Sequence, residues 1–259
     1  MFPGMDDSWT VEIPSSMKRR DPRIWQMAAV SVGRALAGGA SRPRSIIVGT
    51  ALGALDETRQ FLDGLFSDNV GSPKHFIASV HNSMAGRIAQ EFAIPGPNLT
   101  VCDGANSFAS AVALCGLLTK ADFPVLVVAV DETMELLDHL AVHLTPLCQK
   151  IFKTGKQEGS VAFVLDKSAA AGCPMLRAAG VCSIGDEDPD NAFINRFIRR
   201  VSSPFGSPPK IVRPSETGGS FLSVPILVED FLRKKNQGSG VVGSFSPSSH
   251  SIAMVEVCL

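Results

Sequence analysis

The chain has 259 residues, 45% hydrophobic and 19% charged, with a formal net charge of −1. That length and apolar content suit one compact α/β domain or two halves sharing a core, and the near-neutral balance excludes the basic field that nucleic acid or an anionic membrane selects. No apolar run approaches the roughly 20 residues of a membrane span and the start carries no signal-peptide pattern, so a cytoplasmic protein is expected.

Residues 1–20 are polar, contain proline and are weakly patterned, and they read as an arm. From Asp21 and Pro22 a helix is expected, because Ile24, Met27, Ala28, Val32 and Leu36 recur at helical spacing until Gly38 and Gly39 end the run. Ser45–Gly49 is a short apolar strand, followed by an acidic helix start at Asp56 and Glu57. A further helix is expected over Ser83–Phe92, stopped by Pro95 and Gly96. Leu99–Cys102 then reads as a buried strand, Gly104 as a tight turn, and Ala105 to about Lys120 as a helix. This strand–turn–helix elbow is a standard mount for a nucleophile in acyl-transfer enzymes. Here an alanine, Ala105, stands at its apex.

Pro124–Val130 is apolar without alternation, which predicts a strand covered on both faces, inside a helix–sheet–helix sandwich. Ser160–Leu165 is another strand, and Pro174–Cys182 opens a second half. Residues 183–217 hold an acidic loop, a short helix and a Pro/Ser/Gly-rich stretch, the least regular part of the chain. A helix near Phe221–Lys235 and strands at Gly240–Phe245 and Ile252–Val257 follow. The basic runs at Lys18–Arg20 and Arg233–Lys235 read as solvated helix ends.

The six cysteines (Cys102, Cys115, Cys148, Cys173, Cys182, Cys258) include no C-x-x-C pair, and the histidines fall at no metal-ligand spacing. Reduced, mostly buried thiols are expected, with neither a metal nor a cofactor.

Four segments, in order, resemble the β-ketoacyl-ACP synthase family of the thiolase-like fold. They are Ile46–Gly53, Asn82–Cys102, Val125–Glu132 and Gln157–Asp166. The resemblance implies an α/β fold of helix–sheet–helix layers with two related halves, the second shortened. It divides the chain into the arm, residues 1–20, and one domain, residues 21–259, with halves of about 21–170 and 171–259.

Carried over residue by residue, the family's catalytic set is missing. The nucleophilic cysteine falls on Ala105, and one histidine falls on Gly219. Residues 183–214, where the other histidine belongs, contain none. The glycine-rich turn near the end of the family pattern falls on Ser244–Ser249, a serine-rich stretch. Without a thiolate to carry the acyl chain and imidazoles to stabilise enolate and oxyanion, decarboxylative condensation has no route. The resemblance therefore implies a non-catalytic subunit of the chain-length-factor type. Its implied partners are an active ketosynthase in a heterodimer, or itself in a homodimer, with acyl carrier protein reached through the partner. The implied setting is type II polyketide, aryl-polyene or fatty-acid-like biosynthesis.

Several residues invite a role. Cys102, Asn106, Ser107 and Phe108 are candidates for the acyl cavity or oxyanion region, and Leu99, Val101, Leu136 and Leu137 for a dimer interface. Each has a structural alternative: a buried strand thiol for Cys102, a backbone cap for Ser107, a space-filling ring for Phe108, ordinary helix core for Leu136 and Leu137. A competing function, a divergent acyltransferase or thioester hydrolase, would use Cys102, Ser107 or His81.

Overall fold

The computed structural model describes residues 7–18, 21–39, 41–134, 158–167, 175–183, 210–212, 223–233, 239–246 and 251–258. Leu136, Leu137, Gly219 and the acidic loop after Ser183 lie outside the described residues.

Helix α1 spans Arg23–Ala37, entered through Pro22 and left at Gly38. Proline suits the position before a helix because its fixed φ and missing N–H cost nothing there. The apolar face of α1 (Ile24, Met27, Ala28, Val32) is buried. Strands β1 (Ser45–Gly49), β2 (Asn98–Val101), β3 (Val125–Asp131) and β4 (Gly159–Leu165) form a four-stranded sheet in the order β2-β1-β3-β4. β1 runs parallel to both β2 and β3, and β4 runs antiparallel to β3.

All residues of β1 and β3 are buried, as their unbroken apolar runs predict. The period-2 alternation divides them between two cores. Ile46, Val48, Leu126, Val128 and Val130 join α1 and helix α4 (Ser83–Glu91) in one cluster. Ile47, Val125, Val127 and Ala129 face helix α5 (Ser107–Cys115) in the other.

Strands β5 (Met175–Ser183), β6 (Lys210–Val212), β7 (Ser239–Ser246) and β8 (Ser251–Cys258) make a second four-stranded sheet, ordered β5-β8-β7-β6. The second cluster joins the two sheets through α5 and helix α6 (Ser223–Arg233), with Val224 and Val228 of α6 meeting Ala253, Val255 and Val257 of β8. The resulting layers run helix, sheet, helix, sheet. The halves share a strand pattern. β1 is parallel to β3, which is antiparallel to β4, and β6 is parallel to β7, which is antiparallel to β8.

Several expectations need correction. The arm is packed: Asp7–Glu12 forms a 3₁₀ turn, and Trp9, Ile13 and Met17 are buried in the first core cluster. The Arg23 guanidinium lies 5.1 Å from the Trp9 ring centroid, a cation–π contact that composition cannot reveal. Helix α2 (Leu55–Asp68) begins at the acidic start expected at Asp56 and Glu57, whereas α3 (Pro73–Ser79), between it and α4, has no sequence period long enough to announce it. The irregular stretch 183–217 contributes strand β6, too short to stand out from its proline-rich surroundings. The elbow helix begins later and ends earlier than its apolar pattern suggests, at Ser107 and Cys115.

Candidate functional site, the elbow at the end of the first sheet

The elbow forms where β2 and β1 end side by side. The chain leaves β2 at Val101, passes Cys102 and Asp103, and makes a 3₁₀ turn over Gly104–Asn106 before α5 begins at Ser107. Gly104 has φ +51°, a left-handed conformation that glycine adopts without steric cost. The backbone of α5 comes so close to β1 that a Cβ on Gly49 would sit 2.8 Å from the Ser107 carbonyl oxygen. Glycine at position 49 is therefore what lets the elbow close onto the sheet.

Side chains tie the elbow down from both ends. The Ser107 hydroxyl is placed to donate to the Thr50 carbonyl (2.9 Å) or the Gly104 carbonyl (2.7 Å), and it accepts from the Asp103 N–H (2.9 Å). The Ser110 hydroxyl donates to the Asp103 carboxylate at 2.9 Å. Beneath them, fully buried Asp131 accepts from the Thr50 hydroxyl (2.8 Å) and from the backbone N–H groups of Ala51 and Leu52 (2.9 and 3.0 Å). The Thr50 oxygen also accepts from the Gly53 N–H at 2.9 Å. Burial pushes the Asp131 carboxyl up to about 6, against the opposing pull of those three hydrogen bonds.

Ala105, only 9% exposed, stands at the apex of this frame. Its methyl group can neither attack a thioester nor hold one. Asn106 is buried in the same turn.

The other candidates take distinct places. Cys102 is exposed, which corrects the expectation of a buried strand thiol: β2 stops one residue earlier, at a sheet edge. Although the residue reaches solvent, protein packed around its sulfur, followed by the nearby Asp131 charge, pushes the thiol up to about 11. At pH 7 only about one such thiol in ten thousand is a thiolate, the form that attacks. Ser107 has its hydroxyl committed to backbone. The His81 ring packs against Gly53, 3.2 Å from where a Cβ would stand. Among the described residues no hydrogen bond joins Cys102, Ser107 and His81, so the structure does not assemble a nucleophile–base pair from them. The Phe108 ring is buried against Phe163 of β4, with centroids 5.4 Å apart.

The second family segment lies along α4 and β2, and the third ends at Asp131 and Glu132. Glu132 is buried, and desolvation pushes its carboxyl up to about 8, with Asp56, Glu57 and Glu158 adding to the shift and Arg23 opposing it. Among the described residues no group of three or more His, Cys, Asp or Glu could hold a metal ion. None of the described helices is long and apolar enough to cross a membrane.

Residues 3–141 match the family model of the β-ketoacyl synthase N-terminal domain. The chain belongs to that family. In this β-ketoacyl synthase family member alanine stands at the apex of the elbow. Solved structures share its thiolase-like fold. The ishigamide ketosynthase/chain length factor superposes with a TM-score of 0.76 at 16% identity, covering 99% of this chain and 86% of that one. A type II PKS acyl-carrier protein in complex with its ketosynthase bound to the hexaketide gives 0.69 at 13% identity, over 98% and 87% of the two chains. The ketosynthase ApeO in complex with its chain length factor ApeC, from Xenorhabdus doucetiae, gives 0.59 at 16% identity, over 94% and 81%. No curated protein matches the chain.

Sequence reasoning missed the Asp131–Thr50 connection that supports the ketosynthase-like elbow. A signal was present: Thr50 and Asp131 are polar residues at the carboxyl ends of adjacent all-apolar parallel strands, where α/β sheets place their sites.

Proposed function

We propose that this chain is a non-catalytic β-ketoacyl synthase-like subunit of the chain-length-factor type, pairing with an active ketosynthase in the cytoplasm. The pathway class is type II polyketide, aryl-polyene or fatty-acid-like biosynthesis, with acyl carrier protein engaged through the partner. The observation that carries the reading is Ala105 at the apex of an otherwise intact elbow. A frame maintained by Gly49, Gly104, Ser107 and Asp131 around an inert methyl group suits a partner subunit better than an enzyme. Structural neighbours that are ketosynthase–chain length factor assemblies support it. The competing hydrolase or acyltransferase is disfavoured by the committed Ser107 hydroxyl and the high Cys102 pKa.

The test is reconstitution. The purified chain alone, with acyl- and malonyl-carrier protein, is expected to form no covalent adduct and release no acid. Coexpressed with an active ketosynthase of a type II system, it is expected to copurify as a heterodimer that makes ketoacyl product. The Ala105→Cys variant alone is expected to stay inactive, because the two imidazoles are still absent. Condensation product from that variant without a partner would overturn the proposal.

A further inference from the structure

The helices of this chain neutralise their arginines, whereas one end of the first sheet does not. Arg23 and Arg34 of α1, Arg59 of α2, Arg87 of α4 and Arg233 of α6 each meet a carboxylate. Arg42, Arg44 and Lys120 are exposed, and among the described residues none of the three has an ion-pair partner. Strand register brings them together. Ser45 pairs with Val125, and Val125 with Leu165, so the lead into β1, the turn before β3 and the end of β4 meet at one place. Arg42 and Arg44 belong to that lead, Lys120 to the 3₁₀ turn Lys120–Asp122, and exposed Lys167 follows β4.

The corner is built on a fixed base. The Arg44 N–H donates to the Pro124 carbonyl, and its carbonyl accepts from the Gly96 N–H, both at 2.7 Å. Lys167 Nζ donates to the Leu118 carbonyl at 2.8 Å and lies 4.7 Å from the Phe123 ring centroid. The Thr119 N–H and hydroxyl donate to Asp122 at 2.9 and 2.6 Å. Those two bonds hold the Asp122 carboxyl below its ordinary value, and the charges of Arg44 and Lys167 add to the shift. Beside these charges stands Leu117, at 81% the most exposed large apolar side chain among the described residues.

We infer that this corner docks an acidic segment of a partner protein, its carboxylates paired with Arg42, Arg44 and Lys120 and an apolar side chain seated on Leu117. Charge complementarity chooses the occupant. Guanidinium groups match carboxylates in geometry as well as in charge, and cations left unpaired on a rigid base are already placed for such contacts. Asp122 and Asp166 lie among the cations, so the corner is not a uniform positive field of the kind a nucleic-acid backbone or an anionic bilayer selects. Separate carboxylates on a protein can be set opposite separate cations, and the wrong placements are rejected by the two aspartates. The corner lies at the opposite end of β1 from Gly49 and the elbow, and the inference does not depend on pairing with a ketosynthase.

The experiment uses the full chain and a fluorescein-labelled peptide of several glutamates around a single leucine, with binding read by fluorescence anisotropy and folding by circular dichroism. The same peptide with glutamine for glutamate is the neutral control. Arg44→Glu and Lys120→Glu are each expected to weaken binding of the glutamate peptide roughly tenfold or more, and Leu117→Ser about threefold, with the fold retained. Lys74→Glu makes the same change of charge at an exposed position of α3 and is expected to leave binding unchanged. A lysine version of the peptide is expected to bind the Arg44→Glu/Lys120→Glu double variant better than wild type. Equal binding of the glutamate and glutamine peptides overturns the inference, as does no binding at about 1 mM, the weak end of specific association. An equal loss with Lys74→Glu also overturns it, because net charge rather than the corner then decides. Tighter binding of a single-stranded oligonucleotide or of phosphatidylserine vesicles overturns it in favour of a polyanion.

Discussion

Strands β3 and β2 belong to one sheet and are both rich in apolar and β-branched residues, yet they occupy opposite surroundings. β3 lies between β1 and β4 with every residue buried, whereas β2 forms the sheet edge and leaves Leu99 exposed. Inside the sheet an apolar strand is a stability element, because burying each Val or Leu side chain contributes roughly 1.5–3 kcal/mol. At the edge the same chemistry leaves backbone donors and acceptors unpaired on one side among the described residues. Both strands lead into the elbow region, β3 through Asp131 and β2 through Cys102 and Asp103. The inert apex thus stands between a rigid support and an open surface.

The sharpest way to break this contrast is a charge inside β3. Val128→Asp places a carboxylate among fully buried neighbours and is expected to cost more than about 4 kcal/mol, leaving the chain unfolded by circular dichroism. A cooperative unfolding transition near that of wild type would contradict the buried placement of β3. Next in size, Gly49→Ala drives a Cβ against the Ser107 carbonyl and is expected to cost about 1–3 kcal/mol in urea denaturation. An unchanged midpoint would mean that the elbow does not close onto β1.

A smaller effect follows from Glu132. Its folded pKa, about 8, lies above the ordinary value of 4.5, so the folded state holds the proton more tightly. The stabilisation is complete below about pH 4.5 and is lost as pH rises towards 8. Glu132→Gln removes the ionisation, so its advantage over wild type should grow steadily from pH 5 to pH 8.5. Thermal denaturation across that range checks it, and equal pH dependence of the two proteins would refute the assignment. The smallest change is expected at the edge. Leu99→Lys should alter the stability of the free chain by no more than about 0.5 kcal/mol, the ordinary size of a surface substitution. A loss comparable to that of Val128→Asp would show that β2 is covered by its own chain.

Much of the first half was legible from residue pattern alone. The all-apolar runs of β1 and β3 announced strands covered on both faces, and Gly104 announced the turn of the elbow. The packing of the arm leaves no sequence signal, because Trp9, Ile13 and Met17 are too few and too widely spaced to make a period, although they join the core cluster of α1. The exposure of Cys102 was equally illegible, since sequence does not say which strand of a sheet lies at its edge. At the site, the alanine at the apex was evident, but the network joining Asp131, Thr50, Ser107 and Asp103 was not. Its members lie up to 81 residues apart in the chain, and a long-range hydrogen bond leaves no local period.

By itself, then, the amino-acid order determined the layers and the methyl group at the apex of the elbow. Unbroken apolar strands must be covered on both faces, and no fold can make a nucleophile of the methyl group of Ala105. Only the tertiary structure decided which strand end was left open, which serine was consumed by backbone, and which aromatic rings faced inward or outward. Those outcomes depend on strand order and on distances between segments remote in sequence. The placement of β2 at the edge and of the Asn82–Asn98 bond beside it follows from how the chain closes on itself.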